Sequence, residues 1–289
     1  MSLATHPATV LSQACDCHVH VFDPDRFPYA ANRAYTPGKA SAQALTALHK
    51  GMGISRVVVV QPSIYGTDNA CLLDAIEQLG QDRARGIAVV DLATVTDEEL
   101  THLHAGGVRG IRLNLHVSGE GLVAAREQVL AARRVARMPG WHVQVHASMA
   151  VHVAMLDHYQ NLGLPVVLDH FAGGVMPGPE GEGHLQQLLK AMSSQPLHVK
   201  LSAAYRLPPG CAADELARQF HAAAPLQVLW GSDWPHTGGS GGGGRKPQEV
   251  EPFRDINNMA ALQHIVLALD CTEASQQLLA DNPTRLYGF

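Results

Sequence analysis

Eight short runs rich in β-branched and other apolar residues recur along the chain, at 15–22, 56–61, 86–92, 108–115, 142–147, 165–170, 198–202 and 227–233. Between most of them lie Ala-, Leu- and Gln-rich stretches that read as helices, at 41–50, 70–79, 97–104, 122–137, 150–161, 184–192 and 214–223. Apolar strands that alternate with helices predict a parallel sheet, because each crossover helix covers one face of it. Eight such units followed by terminal helices predict an α/β chain folded as a single-domain (β/α)8 TIM barrel spanning 1–289, with its core from about residue 14. A doubly wound open sheet is the alternative. No G-x-G-x-x-G follows the first strand and no phosphate-binding G-x-x-x-x-G-K-[ST] occurs, which argues against it.

Composition narrows the function classes. The chain has 289 residues, 46% of them hydrophobic and 16% charged, which is enough globular sequence for one large core. The formal net charge is −5 and no basic stripe is present, which excludes nucleic acid and an anionic membrane surface as expected partners. No apolar run reaches the ~18 residues of a membrane span, and the first residues carry neither a basic nor a long apolar leader. A cytoplasmic location is therefore expected, and the five cysteines read as reduced thiols. Cys15 and Cys17 stand two apart without a second pair, so zinc-ribbon and thioredoxin patterns fail. Nothing in the sequence specifies an oligomeric state.

The 17 histidines are the unusual component. His49, His102, His104, His152, His158, His221 and His264 fall in helical stretches and are expected at the surface. Others lie at strand ends. The first run carries Asp16, His18 and His20, and alternate residues of a strand share a face. Such an H-x-H pair suits one metal ion, one substrate oxygen, or two hydrogen-bonded interior rings. Further ends read Arg112 and Asn114, Gln144 and His146, Asp169-His170, Lys200-x-Ser202 with Tyr205-Arg206, and Ser232-Asp233-Trp234-Pro235-His236. A barrel gathers all of these at one mouth, where polar groups are costly unless paired or open to a cleft. The collective pattern argues for an enzyme taking a small molecule. Two interruptions, 23–39 after the first strand and the glycine-rich 237–247 after the last, leave the same mouth.

These residues carry a resemblance. DCHVH, VRGIRLNL, LDHFAG, KLSAAYR, WGSDWPH and the terminal DNPTRLYGF resemble the amidohydrolase superfamily in its amidohydrolase-2 branch, from Asp16 to Phe289. Within the branch the chain is similar to the 2-pyrone-4,6-dicarboxylate lactonases and related lactone hydrolases. The resemblance implies hydrolysis of a carboxylate-bearing lactone in aromatic catabolism. It makes Asp233 the base that activates water, in a cleft expected to raise its pKa toward neutrality. It makes His18, His20 and His170 the groups that polarise the carbonyl and hold the oxyanion. Arg112 and Arg206 would hold substrate carboxylates, with Ser63, Tyr205, His146 and His236 adding contacts. For Arg112 the competing reading is an ion pair inside the barrel.

Two departures bear on the substrate. Where those lactonases carry a tyrosine near the end of strand five, His146 stands here, and where a further arginine follows strand four, the run is His116-Val117-Ser118. Arg245 and Lys246 are the nearest basic replacements. Sugar-acid or muconolactone-type lactones are therefore the alternative substrates, a metal-dependent decarboxylase or hydrolase of the same branch is an alternative activity, and a non-catalytic binding barrel is the alternative outside enzymes. The resembled lactonases imply no cofactor. The alternative is one zinc-like ion on His18, His20, His146 and Asp233, since nitrogen and oxygen donors of this kind suit zinc.

Overall fold

The computed structural model describes residues 13–115, 121–238 and 246–289. Every expected strand is present: β1 (Cys15–Val19), β2 (Arg56–Val60), β3 (Ala84–Ala88), β4 (Val108–Asn114), β5 (His142–His146), β6 (Val166–Leu168), β7 (Leu197–Ser202) and β8 (Val228–Gly231). They form one eight-stranded sheet in chain order, each strand parallel to the next. Beyond β8 the chain returns to β1 through a parallel bridge between Val19 and Trp234. Two backbone bonds, His20 N to Trp234 O at 2.8 Å and Asp233 N to His18 O at 2.9 Å, complete the (β/α)8 barrel. Gly231 makes this approach possible, because a Cβ there would sit 2.7 Å from the Cβ of His18.

The Arg-Val-Val-Val-Val run of β2 shows why the strands stay buried on both faces. Val57 and Val59 pack outward against the helices, whereas Val58 and Val60 join Cys15, Cys17, Ile87, Val167 and Leu229 in the lumen. The C-terminus closes the floor. Tyr287 packs edge-on to His142 with ring centres 5.3 Å apart. Arg85 donates to Tyr287 O at 3.1 Å and to Gly288 O at 2.5 Å, and its guanidinium lies 4.8 Å from the centre of the Phe289 ring.

The outer layer comprises α1 (Ala42–Met52), α2 (Ala70–Leu79), α3 (Asp97–Ala105), α4 (Leu122–Ala131), α5 (Met149–Ala154), α6 (Leu156–Gln160), α7 (Pro179–Met192) and α8 (Ala213–Ala223). α9 (Asn258–Leu269), α10 (Thr272–Gln276) and α11 (Asn282–Tyr287) follow. Local chemistry sets several boundaries. Ser41 caps α1 on Ala44 N, and Thr96 with Glu99 forms a reciprocal capping box at α3. The helix expected at 150–161 breaks into α5 and α6 at Met155, and the one expected at 122–137 tightens into a 3-10 turn over Ala132–Val135. None of the described helices is long and apolar enough to cross a membrane.

Three expectations change. β3 starts two residues earlier than expected and ends at Ala88, because Asn69 takes over the backbone of Val89, accepting from its N at 3.1 Å and donating to its O at 2.9 Å. The pairing register of β1 shifts between Asp16 and Val19, so Asp16 does not share a face with His18 and His20. It accepts instead from His49 of α1 at 3.2 Å. His49 and His152 are buried rather than at the surface, each on a polar partner: Asp16 for the first, the Tyr159 hydroxyl at 3.1 Å for the second.

The loop after β1 meets the segment that follows the glycine-rich run. Thr36–Pro37 pairs in parallel with Val250–Glu251, and Phe22 stacks on Phe253 at 6.2 Å. His116, Val117, Ser118 and Arg245 lie outside the described residues.

Burial holds the His152 pKa down at about 4. An unfolded histidine takes its proton near about 6.5, so the unfolded chain binds the extra proton first as pH falls and stability drops from about pH 6.5 to pH 4. His152→Gln keeps a partner for Tyr159 but cannot titrate. Denaturant unfolding at pH 7 and pH 5 should show a stability loss about 2 kcal/mol smaller in the variant than in the wild type. Equal losses would mean that His152 carries a proton in the fold.

Candidate active site

The ends of β6, β7 and β8 turn in the same way. His170, Ala203 and Asp233, each just beyond its strand, adopt left-handed backbone with φ of 52°, 52° and 63°. Non-glycine residues enter this region at a cost of about 1–2 kcal/mol, and such positions concentrate at functional sites. The turns aim His170, Tyr205-Arg206 and Asp233 inward at the level where β1 presents His18 and His20.

Asp233 is the hub. It is 2% exposed. Its Oδ1 lies 3.6 Å from His18 Nε2, 3.7 Å from His20 Nε2 and 3.9 Å from His170 Nε2. Its Oδ2 accepts from the Tyr205 hydroxyl at 2.6 Å and from Arg206 Nε at 3.0 Å. One carboxylate oxygen is thus tied down and the other looks into a cage of imidazoles. Burial alone would push this carboxyl up. His170, His20, Arg206 and His18 around it outweigh burial and hold it well below the usual carboxylate range. The expectation of a pKa raised toward neutrality is therefore reversed: the resting carboxylate is already ionised and able to accept a proton.

The rings are held from behind. His20 donates Nδ1–H to Val60 O at 2.8 Å, so its Nε2 turns a lone pair toward Asp233 when the ring is neutral. His18 Nδ1 stands 3.3 Å from Asp169 Oδ1, and its Nε2 has no hydrogen-bond partner among the described residues. Burial pushes the His18 pKa well below its ordinary value, against the opposing charge of Asp169. His170 pairs Nδ1 with Ser202 Oγ at 2.8 Å, and burial lowers its pKa to about 4. The His18, His20 and Asp233 donor atoms all lie within 4.8 Å of one another. Two nitrogen lone pairs and a carboxylate oxygen aimed at one point, with backbone and carboxylate partners behind the rings, fit a single divalent ion that keeps open positions. His18, Asp169 and His170 form a second close group, but Arg112 and Lys200 already offset the charge of Asp169 there.

His146 is not part of either group. Its Nδ1 lies 3.1 Å from Arg112 Nη2, so the four-ligand set loses this member among the described residues. Arg112 also donates Nε to Asp169 Oδ2 at 3.2 Å, inside the barrel. Arg206, besides Asp233, donates to Thr237 O at 2.9 Å. His236 donates Nε2–H to Asn258 Oδ1 at 2.9 Å and packs edge-on to Tyr205 at 5.8 Å. Ser63 opens the short 3-10 turn after β2.

Two features escape the strand-end reasoning. Tyr35, from the loop after β1, lies near Thr237 and Ser63, in the field of Arg112 and Arg206. Burial pushes its phenol up, so it stays a hydroxyl. The aromatic content of 23–39 was the available signal, but no periodicity places a loop residue. Beneath the site, buried Lys200 donates to Gln144 Oε1 at 2.6 Å and lies 3.5 Å from His18 Nδ1. Burial lowers its pKa to about 8. Strand parity points Lys200 and Gln144 inward, yet not toward each other.

Known proteins match this architecture over nearly its whole length. A 2-pyrone-4,6-dicarboxylate hydrolase of Comamonas testosteroni is 33% identical over 95% of this chain and 90% of its own. A 4-sulfomuconolactone hydrolase of Hydrogenophaga intermedia is 32% identical over 94% of this chain and 88% of its own. A structure from Acinetobacter baumannii, assigned as a 2-pyrone-4,6-dicarboxylic acid hydrolase with citric acid bound, superposes with a TM-score of 0.78 at 29% identity, over 96% of this chain and 100% of that one. The family model described as Amidohydrolase (Amidohydro_2) matches residues 15–289. With this match and these relatives, the chain belongs to the amidohydrolase family, in its amidohydrolase-2 branch.

Proposed function

We propose that the chain hydrolyses a lactone bearing an anionic group, of the 2-pyrone-4,6-dicarboxylate or muconolactone type, with Asp233 as the proton acceptor for water. The carrying observation is the split of Asp233: Oδ2 tied by Tyr205 and Arg206, Oδ1 open among three imidazoles. The relatives named above act on cyclic esters that carry carboxylate or sulfo groups, which supports the same substrate class here.

Each group then has a task. Oδ1 takes a proton from water while the water oxygen bonds to the acyl carbon. The developing oxyanion is met by His170 Nε2–H when Ser202 donates to its Nδ1, in a buried site where such a donor acts strongly, whereas His18 and His20 meet it only as protonated rings, since each turns its Nε2 lone pair inward when neutral. The ring C–O bond breaks, and the proton held on Asp233 passes to the leaving oxygen, giving a hydroxy acid whose new carboxyl group releases its proton to solvent. Tyr205 keeps its proton because burial pushes the phenol up, so it remains a donor to Oδ2 throughout. His18, His20 and Asp233 would hold a divalent ion, which when bound lowers the pKa of water and stabilises negative charge.

A panel of carboxylated and sulfonated lactones, followed by ring-opening absorbance, tests the reading. Turnover of at least one member is expected, and Asp233→Asn should lower kcat by about 10²–10⁴-fold. Full activity in that variant would remove Asp233 as the base. Tyr205→Phe should lower kcat about tenfold with little change in KM, because it frees the carboxylate rather than the substrate; a change confined to KM would place Tyr205 on the substrate. Zinc titrated into chelator-stripped protein is expected to bind one ion per chain in the wild type and to lose this site in His20→Ala. Stripped protein that binds no zinc and turns over at the full rate would leave protons alone to fill the cage.

A further inference from the structure

Ser202 is the last residue of β7 and is buried, as is His170 beside it. Its Oγ lies 2.8 Å from His170 Nδ1. A hydroxyl has one hydrogen to give, and a ring nitrogen either gives or accepts. If Nδ1 carried a hydrogen, Oγ would accept it, and the hydroxyl hydrogen would need a second acceptor. Among the described residues Ser202 Oγ has no partner besides this ring. The cavity of about 170 Å³ that Ser202 borders is lined mainly by apolar side chains, Phe171, Leu201, Trp230, Ile256 and Ile265 among them. A buried hydroxyl hydrogen left unpaired is costly. Ser202 therefore donates, Nδ1 accepts, and the ring proton lies on Nε2, the atom 3.9 Å from Asp233 Oδ1. A doubly protonated ring fails on the same count, because its Nδ1–H would again need Oγ as acceptor.

The group behind each ring thus divides the cage. His20 has a carbonyl behind it, Val60 O, and His18 has a carboxylate, Asp169. Acceptors behind the rings put hydrogen on Nδ1 and turn the Nε2 lone pairs toward Asp233. His170 alone of the three has a hydroxyl behind it, and turns a hydrogen inward instead.

We propose that Ser202 is a positioning residue whose hydroxyl, as donor, fixes His170 as the Nε2–H tautomer and so makes it the neutral hydrogen-bond donor of the cage. This rests on the lactone reading above and deepens it: the oxyanion has a donor in place before any proton leaves water. The same lock keeps His170 away from a metal ion, since its lone pair is spent on Ser202, while His18, His20 and Asp233 keep theirs. A residue with no hydrogen to give at position 202 would blur this division of the cage without touching the substrate.

Two measurements test the proposal separately. The first is the ¹⁵N spectrum of the histidine rings in the intact wild-type protein, assigned by comparison with His170→Gln. The expected pattern for His170 is Nε2 protonated and Nδ1 bare, and Ser202→Ala should release the ring to a mixture of tautomers. A protonated Nδ1 in the wild type would overturn the lock. The second is steady-state kinetics on whichever lactone the wild type turns over best. Ser202→Ala should lower kcat about tenfold with KM little changed, as expected for the loss of one neutral hydrogen bond that orients a donor to the transition state. Ser202→Thr, which keeps the hydroxyl and has the adjacent cavity for its methyl group, should regain most of that loss. Wild-type kcat in Ser202→Ala, or a loss carried by KM alone, would overturn the positioning role. If the wild type turns over no lactone, the lactone reading fails, and the ring spectrum still decides the tautomer.

Discussion

The approach of β8 to β1 is the constraint from which the rest of the molecule follows. A parallel barrel can close only if its last strand finds the first at hydrogen-bonding distance, and Gly231 supplies the space by having no Cβ to meet His18. Asp16 then ties the joint, accepting from Ser232 N at 2.9 Å and from His18 N at 3.2 Å, while its other oxygen holds His49 of α1. The backbone bonds that seal the barrel belong to His18, His20, Asp233 and Trp234. Closure and assembly of the imidazole–carboxylate cage are thus one event. Asp233 faces the H-x-H pair because the strands that carry them are neighbours across the seam.

Beneath the cage, buried charges pair with one another. Asp169 sits against His18, Arg112, Gln144 and Lys200, all buried. Burial alone would push this carboxyl up, but His18, Arg112 and Lys200 reverse the effect and hold it well below the usual carboxylate range. Removing one partner of such a network typically costs about 3–5 kcal/mol, because the remaining charge is stranded. The network also has a direction. It presents fixed donors upward, so the site above receives oriented imidazoles rather than free ones. The net charge of −5 does not count against the anionic substrate proposed above, because Arg112 and Arg206 stand at the site itself.

Much of this was legible in the residues because the signals are periodic or short-range. The valine run at 56–60 needs no context to be a buried strand, and Ala70–Leu79 begins and ends where its composition says it should. The strand-end rule selected His18, His20, His146, His170 and Asp233 from 17 histidines and 26 acidic residues, and all but His146 meet around Asp233 Oδ1. What escaped was long-range. Asp16 follows the parity of His18 and His20 on paper, but one register shift in β1 sends it to the helix layer. His49 and His152 sit in helices, yet they are buried together with their partners, Asp16 and Tyr159. Tyr35 reaches the mouth only because Thr36–Pro37 pairs with Val250–Glu251, some two hundred residues along the chain.

The sequence by itself determined the order of strands and helices, the closed parallel architecture and the residue types at the mouth, because hydrophobic period and burial act on each segment locally. Only the tertiary structure decided the protonation and pairing of those residues. Asp233 is held ionised rather than raised toward neutrality, Tyr205 and Arg206 turn onto it, and His146 turns its Nδ1 to Arg112 rather than to the imidazole–carboxylate cage. A pKa, a tautomer and a hydrogen-bond partner each depend on distances of about 3 Å between segments remote in sequence, and no local pattern encodes those distances.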